Sequence, residues 1–354
     1  MKEMMIWKVL AAKEEELYDF DIKNLMLDYY SAYEKKHRNE PDYKNKVIEN
    51  AQKVQEFIES GEYIKAWLHY KEDPYIEMNR ANAFDCDNSN RTCQFMEDLY
   101  QILWGWKPTN SRGCFFTRFK EAGTKKCAKK WTSYEFGGDT MNSFKTTYNR
   151  FENVKNKPAE LEKFAWNCGK IGNFVLVPVG FNRYRYSHTL DYWDSSLKLL
   201  KGKNESDEWN SNGRKVIWDS QYFNRYINTF FLWDYVQKKE DGEYDILELG
   251  TREEDSLMLS NRGVEKFLEN VNRAIINRGK FMTSMLKIAK LEKGNIYEMF
   301  CENVFESDRT YEGYEDVIQN LLELIEDKIE KNVLKAEELE RVKEILIDLE
   351  KNWE

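Results

Sequence analysis

Proline, glycine and histidine are scarce in this chain, which has five Pro, 17 Gly and three His among 354 residues. Sandwiches and barrels made of many short strands need more turn residues than this, so the scarcity argues against them. Lys, Glu and Leu, which favour helices, are abundant instead. The composition therefore predicts a mainly α protein with a small β element, that is, an α+β fold.

Long apolar runs are missing as well. No segment approaches the roughly 20 consecutive apolar residues that cross a bilayer, and charged residues interrupt the N-terminus, where a secretory signal would be apolar. We therefore expect a cytoplasmic protein without membrane contact. The six cysteines are far apart with no Cys-x-x-Cys pair, a pattern that indicates reduced thiols and matches no common zinc finger.

The net charge of −9 is distributed unevenly along the chain. Residues 311–354 hold 14 acidic and six basic residues, whereas residues 111–150 hold nine basic and three acidic residues together with eight aromatic ones. Interleaved basic and aromatic residues are typical of surfaces that bind phosphates and stack bases. A solvated basic loop beside an aromatic core would give the same pattern. The candidate nucleic-acid-binding residues are Lys125, Lys126, Lys129, Lys130, Trp131, Arg183 and Arg185.

Apolar periodicity and turn residues divide the chain into three regions: a helical N-terminal region over 1–80, a central α+β domain over 81–310 and an acidic helical hairpin over 311–354. The predicted helices include 14–36, 44–59, 92–104, 261–291, 313–331 and 335–352, and the predicted strands are 130–136 and 172–177. From Thr189 onward the pattern predicts helix, with interruptions at 203–213, 240–250 and Gly294.

The C-terminal hairpin has an apolar stripe on each of its two helices. Two helices of this length bury too little surface to be stable alone. We therefore expect the hairpin to pack on the body of the chain, on a second copy or on a protein partner.

The segment 169–194 is the densest cluster of unusual polar residues. A short buried strand separates Asn173 from Asn182, Arg183, Arg185 and His188, and a loop at each strand end could bring some of them to one rim. Arg183 and Arg185 could clamp a phosphate or a carboxylate. Alternatively, these arginines have a structural role and pair with Asp191 and Asp194.

Two stretches of this segment carry a family resemblance. Ile171–Pro178, followed by Phe181-Asn182 and Asp191–Asp194, resembles the region after the catalytic histidine in the HNH-type nuclease tail of GmrSD-like modification-dependent restriction enzymes. Ile275–Lys280 and Leu286–Ile288 resemble the helix that closes those tails.

Further short motifs are similar to a bacterial domain family of unknown function that often occurs in gene sets rich in phage and mobile elements. They are Phe84–Ser89, Leu103–Pro108, Gly138–Phe144 and 171–194. Together the two resemblances cover roughly residues 81–290 and imply a role in phage–host conflict.

The chain departs from the nuclease pattern at the residue that matters most for catalysis. Where the nuclease has its histidine motif, this chain has Gly138-Asp139-Thr140-Met141-Asn142. A threonine cannot act as the general base that an imidazole provides near neutral pH. The usual chemistry is therefore expected to be lost. A rearranged site could still hold Mg²⁺ through Asp139, Asn142, Asn173, Asn182 and His188.

These observations favour a non-catalytic binding protein in phage–host conflict, which needs no cofactor and recognises nucleic acid or a nucleoprotein complex. One alternative is a metal-dependent nuclease, for which Mg²⁺ would be the cofactor. Another is an acidic inhibitor whose hairpin, 311–354, mimics nucleic acid and binds a basic partner.

Overall fold

Helices dominate the structure, and two small antiparallel sheets accompany them. The computed structural model describes residues 17–19, 94–105, 107–109, 112–114, 130–135, 160, 163–164, 167, 170–178, 181, 192–201, 220–257, 259–291, 295–330 and 336–353. The helices are α1 (Gln94–Trp104), α2 (Trp193–Lys201), α3 (Ser220–Thr229), α4 (Asn261–Leu291), α5 (Asn295–Phe300), α6 (Tyr314–Glu330) and α7 (Ala336–Lys351). The strands are β1 (Lys107–Thr109), β2 (Arg112–Cys114), β3 (Lys130–Glu135), β4 (Phe174–Pro178), β5 (Val236–Lys238) and β6 (Tyr244–Ile246). The expected mainly α fold with a small β element is confirmed.

Helix α4 is the central element. It has the predicted bounds, Asn261–Leu291, and between Ala274 and Ile288 almost every residue is buried or half-buried. A helix that is buried on all sides must have neighbours all around it. α4 contacts α1, α5, α7 and the single 3-10 turns Leu17–Asp19 and Ile171–Asn173.

The larger sheet has the strand order β1-β2-β3-β4, and all its pairs are antiparallel. Phe174, Val175, Leu176 and Val177 of β4 are each at most 1% exposed, so this strand is covered on both faces. β1 is the strand at the opposite edge, and its middle residue is Pro108, which has no N–H group. The sheet therefore extends from the core at β4 to an edge at β1.

Helix α1 leads directly into this edge strand. The helix ends at Trp104, as predicted, and Gly105 follows with φ +62°. Glycine adopts this left-handed conformation without the steric cost that a Cβ imposes, which makes it the common residue after a helix end. Trp104 stacks on Tyr100 and meets the ring of Phe230 edge-on, 4.9 Å between centroids.

The segment 233–239 differs from the predicted helix, whereas 240–246 falls in a predicted interruption. Trp233–Tyr235 form a 3-10 turn, and β5 and β6 pair as a β-hairpin. In β6 the buried residues Tyr244 and Ile246 flank exposed Asp245, which is the period of a strand and not of a helix. In β5 only Val236 is buried. Gly242, at φ +79°, lies in the connecting turn. The prediction of helix over 236–238 was wrong, and three residues are too few for their sequence pattern to distinguish a strand from a helix.

The predicted C-terminal hairpin is present as α6 and α7, which contact each other. The hairpin is expected to pack on the body of the chain, on a second copy or on a protein partner. The structure shows the first of these contacts, because α7 packs on α4. The Tyr314 hydroxyl donates a buried hydrogen bond to the carbonyl oxygen of Phe231 at 2.7 Å. The division at 310/311 and the other domain boundaries stay predictions.

Most of the N-terminal predictions lie outside the described residues. These include the helices 14–36 and 44–59, apart from the 3-10 turn Leu17–Asp19. Among the helices that the structure describes, none has a stretch long and apolar enough to cross a membrane.

Candidate functional site

Three basic residues lie on one face of the larger sheet. Lys107 pairs with Cys114, and Cys114 pairs with Lys130, so these residues form one row across β1, β2 and β3. Arg112 lies two positions before Cys114, on the same face, and pairs with Thr109. Directly paired residues of an antiparallel sheet share a face, and so do residues two positions apart. We name Lys107, Arg112 and Lys130 the basic corner.

The strand spacing fixes the size of the basic corner. Neighbouring strands lie about 4.8 Å apart, so the main chains at Lys107 and Lys130 are separated by about 10 Å. The other described strand positions on this face carry no carboxylate; they are Thr109, Cys114, Thr132, Tyr134, Val175 and Val177. An arrangement of cations without acidic neighbours can hold the phosphates of an anionic chain.

Two of the predicted nucleic-acid-binding residues lie on β3. Lys130 and Trp131 are its first two residues, and consecutive strand residues lie on opposite faces of the sheet. The structure thus assigns Lys130 to the face of the basic corner and Trp131 to the other face, along with Glu135. The other predicted site residues, apart from Asn173, lie outside the described residues. These are Lys125, Lys126, Lys129, Asp139, Asn142, Asn182, Arg183, Arg185 and His188.

Asn173 is in the core. It ends the 3-10 turn Ile171–Asn173 and is 0% exposed. The neighbouring Gly172 packs flush against α4, because a Cβ built on it would stand 1.9 Å from the carbonyl oxygen of Ile275. The Ile-Gly-Asn motif therefore has a packing role in this fold, and the glycine permits the close approach of the turn to the helix.

Arg278 is the polar residue that joins α4 to this turn. Its Nε donates to the Phe230 carbonyl oxygen at 2.8 Å, and its Nη1 donates to the carbonyl oxygens of Gly172 and Phe174 at 2.7 and 2.6 Å. The side chain is 0% exposed. A guanidinium group has five N–H donors in a fixed plane, so one residue satisfies main-chain acceptors on two separate segments.

The environment of Arg278 is apolar and aromatic. Among the described residues, none accepts a hydrogen bond from its Nη2 atom, and the guanidinium lies 5.8 Å from the ring centre of Trp104. Burial lowers the pKa of Arg278, and the hydroxyl groups of Tyr314 and Tyr235 oppose this change. Because a positive charge favours an aromatic face, Trp104 offsets part of the desolvation cost.

Asp194 forms a buried ion pair with Arg252. Its carboxylate is fully buried, and Oδ1 lies 2.5 Å from Nη2 of Arg252, whose guanidinium stacks over Tyr192 at 4.6 Å. The main-chain N–H groups of Ser195 and Leu249 also donate to the carboxylate. In the part of the chain that the structure describes, Asp194 pairs with Arg252. Arg183 and Arg185 lie outside the described residues, so their pairing with Asp191 and Asp194 stays a prediction.

A second polar network surrounds Asn228. Its Oδ1 accepts hydrogen bonds from Trp233 Nε1 and the Tyr244 hydroxyl, both at 2.8 Å. Its Nδ2 donates to the carbonyl oxygens of Ser307 and Arg309. All four hydrogen-bonding positions of the amide are thus used, and the network ties α3 to the β-hairpin and to the segment before α6.

The described residues contain no group of three or more His, Cys, Asp or Glu side chains that could hold a metal ion. The metal hypothesis rests on Asp139, Asn142, Asn182 and His188, which lie outside those residues, and on Asn173. Comparison of the chain with protein-family models, curated proteins and solved structures found no match. The resemblance to HNH-type nuclease tails therefore stays a prediction.

Lys107 and Arg112, unlike Lys130, are not among the candidate binding residues predicted from the sequence. Lys107 lies outside the basic segment 111–150. In the sequence, Pro108 is interpreted as ending the preceding helix and not as part of a strand. The available signal was the pair Asn110-Ser111, since two polar residues between short extended stretches are typical of a tight β-hairpin. β1 and β2 flank this pair, with Thr109 opposite Arg112.

Proposed function

We propose that this chain is a non-catalytic binding protein that recognises nucleic acid, or a nucleoprotein complex, through a basic and aromatic surface in the segment 111–150. The proposal also assigns it a role in phage–host conflict, which rests on the resemblance of residues 81–290. Phosphate contacts by lysine and arginine give affinity and orientation without requiring a catalytic group.

One observation carries the proposal. Lys125, Lys126, Lys129 and Lys130 lead directly into β3, since Lys130 is its first residue. The rest of β3, Trp131 to Glu135, pairs with β4, whose residues Phe174–Val177 are fully buried. A binding surface is more precise when it is attached to a rigid element. The lysine cluster is joined in this way to the most deeply buried strand of the sheet.

The experiment measures binding to fluorescent single-stranded DNA, duplex DNA and RNA by anisotropy. The variant Lys125→Glu/Lys126→Glu/Lys129→Glu/Lys130→Glu is expected to lose binding, and the affinity of the unmodified protein is expected to fall steeply with salt. The matched control is Lys238→Glu/Lys239→Glu/Lys266→Glu/Lys290→Glu, which makes the same charge change at four exposed positions elsewhere. Binding that is absent, independent of salt or equally weakened in both variants would contradict the proposal.

The same protein sample tests the enzyme alternative. Incubation of DNA or RNA with the protein and Mg²⁺ or Mn²⁺ is expected to leave the nucleic acid intact. Cleavage that disappears in the Asp139→Ala or His188→Ala variant would support a metal-dependent nuclease in place of the binding protein.

A further inference from the structure

We propose that the phosphate-binding surface extends beyond the segment 111–150 to the β1–β2 hairpin, where Lys107 and Arg112 join Lys130 in one sequence-independent site for the phosphodiester backbone. This inference rests on the proposed function and specifies its ligand chemistry. The juxtaposition of three cations on one sheet face is the observation that supports it.

The electrostatics of the basic corner indicate an anionic ligand. The chain has more acidic than basic residues, 63 against 54, yet among the strand positions that the structure describes, none on the face of Lys107, Arg112 and Lys130 is a carboxylate. Like charges at neighbouring cross-strand positions destabilise a sheet. A bound polyanion removes that repulsion and releases its counterions, which makes association favourable.

The basic corner lies where the sheet extends past β4. Lys130 is one residue beyond the last pair between β3 and β4, Trp131 with Pro178, and Lys107 and Arg112 are on the two strands farther from β4. Lysine and arginine are almost never fully buried without a partner, whereas tryptophan is buried on average. The charges of Lys107, Arg112 and Lys130 therefore favour a place at this end of the face, away from the fully buried Val175 that lies farther along it.

The edge of the sheet favours a phosphate ligand over a peptide strand. A peptide that adds to a sheet forms main-chain hydrogen bonds with the edge strand. β1 has three residues, and the middle one, Pro108, has no N–H to donate. A partner thus binds across the face of β1, β2 and β3 and not along the edge. Lysine and arginine contacts to phosphate do not read base sequence.

The experiment uses the full chain with the single variants Lys107→Glu and Arg112→Glu. Fluorescent single-stranded and duplex DNA, each in two unrelated sequences, are the probes. Each variant is expected to weaken binding about tenfold and to lower the slope of log affinity against log salt by about one or more. Lys238→Glu, an exposed residue of β5, makes the same charge change and is expected to leave binding nearly unchanged. Lys107→Gln tests the site without a new negative charge, and thermal melts confirm that each variant is folded.

The outcomes separate this inference from the proposed function. If the unmodified protein binds, the four-lysine variant does not, and both Lys107→Glu and Arg112→Glu bind like Lys238→Glu, the inference is wrong while the proposed function stands. If the unmodified protein binds no nucleic acid, both are wrong. Equal affinity for the two sequences supports a backbone site, and a strong sequence preference overturns it. The single-stranded and duplex probes identify which form supplies the phosphates.

Discussion

Arg278 donates a hydrogen bond from Nη1 to the main-chain oxygen of Phe174, at 2.6 Å. This contact joins the central helix α4 to the first residue of β4. Two residues further along the strand, the Tyr226 hydroxyl donates to the carbonyl oxygen of Leu176 at 2.9 Å. Side chains from α4 and α3 thus satisfy alternate acceptors of β4, on the strand that anchors the proposed binding surface.

Arg278→Met is expected to lower the free energy of unfolding by about 4 kcal/mol, because it leaves three buried carbonyl oxygens without a donor. Urea denaturation measures the change. Arg273→Met is the matched control, since Arg273 lies on the same helix but is exposed, and its effect is expected to be within about 0.5 kcal/mol. Equal stability of the two variants would show that the Arg278 hydrogen bonds contribute little.

Gly172→Ala is expected to destabilise the protein by several kcal/mol or to prevent folding. A Cβ at this position would stand 1.9 Å from the Ile275 carbonyl oxygen and 2.9 Å from the Gly279 nitrogen, so the main chain of α4 would have to move. Gly242→Ala, with nothing within 4 Å of the added Cβ but a φ of +79°, is expected to cost only about 1 kcal/mol. Thermal and urea melts rank the two variants, and the reverse order would contradict the packing role of Gly172.

Asp234→Asn is expected to stabilise the protein at neutral pH. Burial raises the pKa of Asp234, although the Asn277 amide, which donates to Oδ2 at 3.0 Å, opposes the change. A raised carboxyl pKa means that the folded state binds the proton more tightly than the unfolded state. The folded protein therefore loses stability as the pH rises above 3.8, the ordinary pKa of an aspartate side chain, because the carboxylate is then driven to ionise in its buried position.

The stability gain from Asp234→Asn should accordingly be larger at pH 7 than at pH 3. Denaturation at both pH values measures it. Asp245→Asn, at an exposed position of β6, provides the control for removal of one negative charge. If the stability gain is the same at both pH values, it does not come from removing the buried, ionised carboxylate of Asp234, and the prediction is wrong.

Tyr314→Ala tests the docking of the C-terminal hairpin. The Tyr314 ring lies 5.0 Å from that of Trp233 and 5.3 Å from that of Phe281, so its removal is expected to cost about 4 kcal/mol. Tyr314→Phe removes only the hydroxyl that donates to Phe231 and is expected to cost about 1 kcal/mol. Urea melts and light scattering are the measurements. An unchanged melt with a changed molecular mass would indicate that the hairpin instead packs on another copy.

The sequence was informative wherever a pattern repeats over several turns. α4, α6 and α7 were predicted within about one residue because their apolar residues recur at helical spacing. The strands of three residues, β1, β2, β5 and β6, were missed, since three residues hold too little periodicity to distinguish strand from loop. Pro108 strengthened this error, because a proline more often ends an element than occupies an edge strand.

The buried polar contacts could not be found in the sequence. Arg278 is far along the chain from Gly172 and Phe174, and Asp194 is 58 positions from Arg252. Only the packing of α4 and of the segment 247–252 brings these groups together. Charge composition did indicate the basic segment, but the face on which each base lies depends on the strand register, and one residue of slip would exchange Lys130 for Trp131.

Pro108 and Arg278 lie at opposite edges of the larger sheet, and both limit the pairing of a further strand there. An open sheet edge is a template on which another chain can pair, and proteins commonly block it with proline or cover it. Pro108 removes a donor at β1, while Arg278 and Tyr226 occupy the acceptors of β4. The sheet is thereby protected against strand exchange and fibrillar assembly between copies.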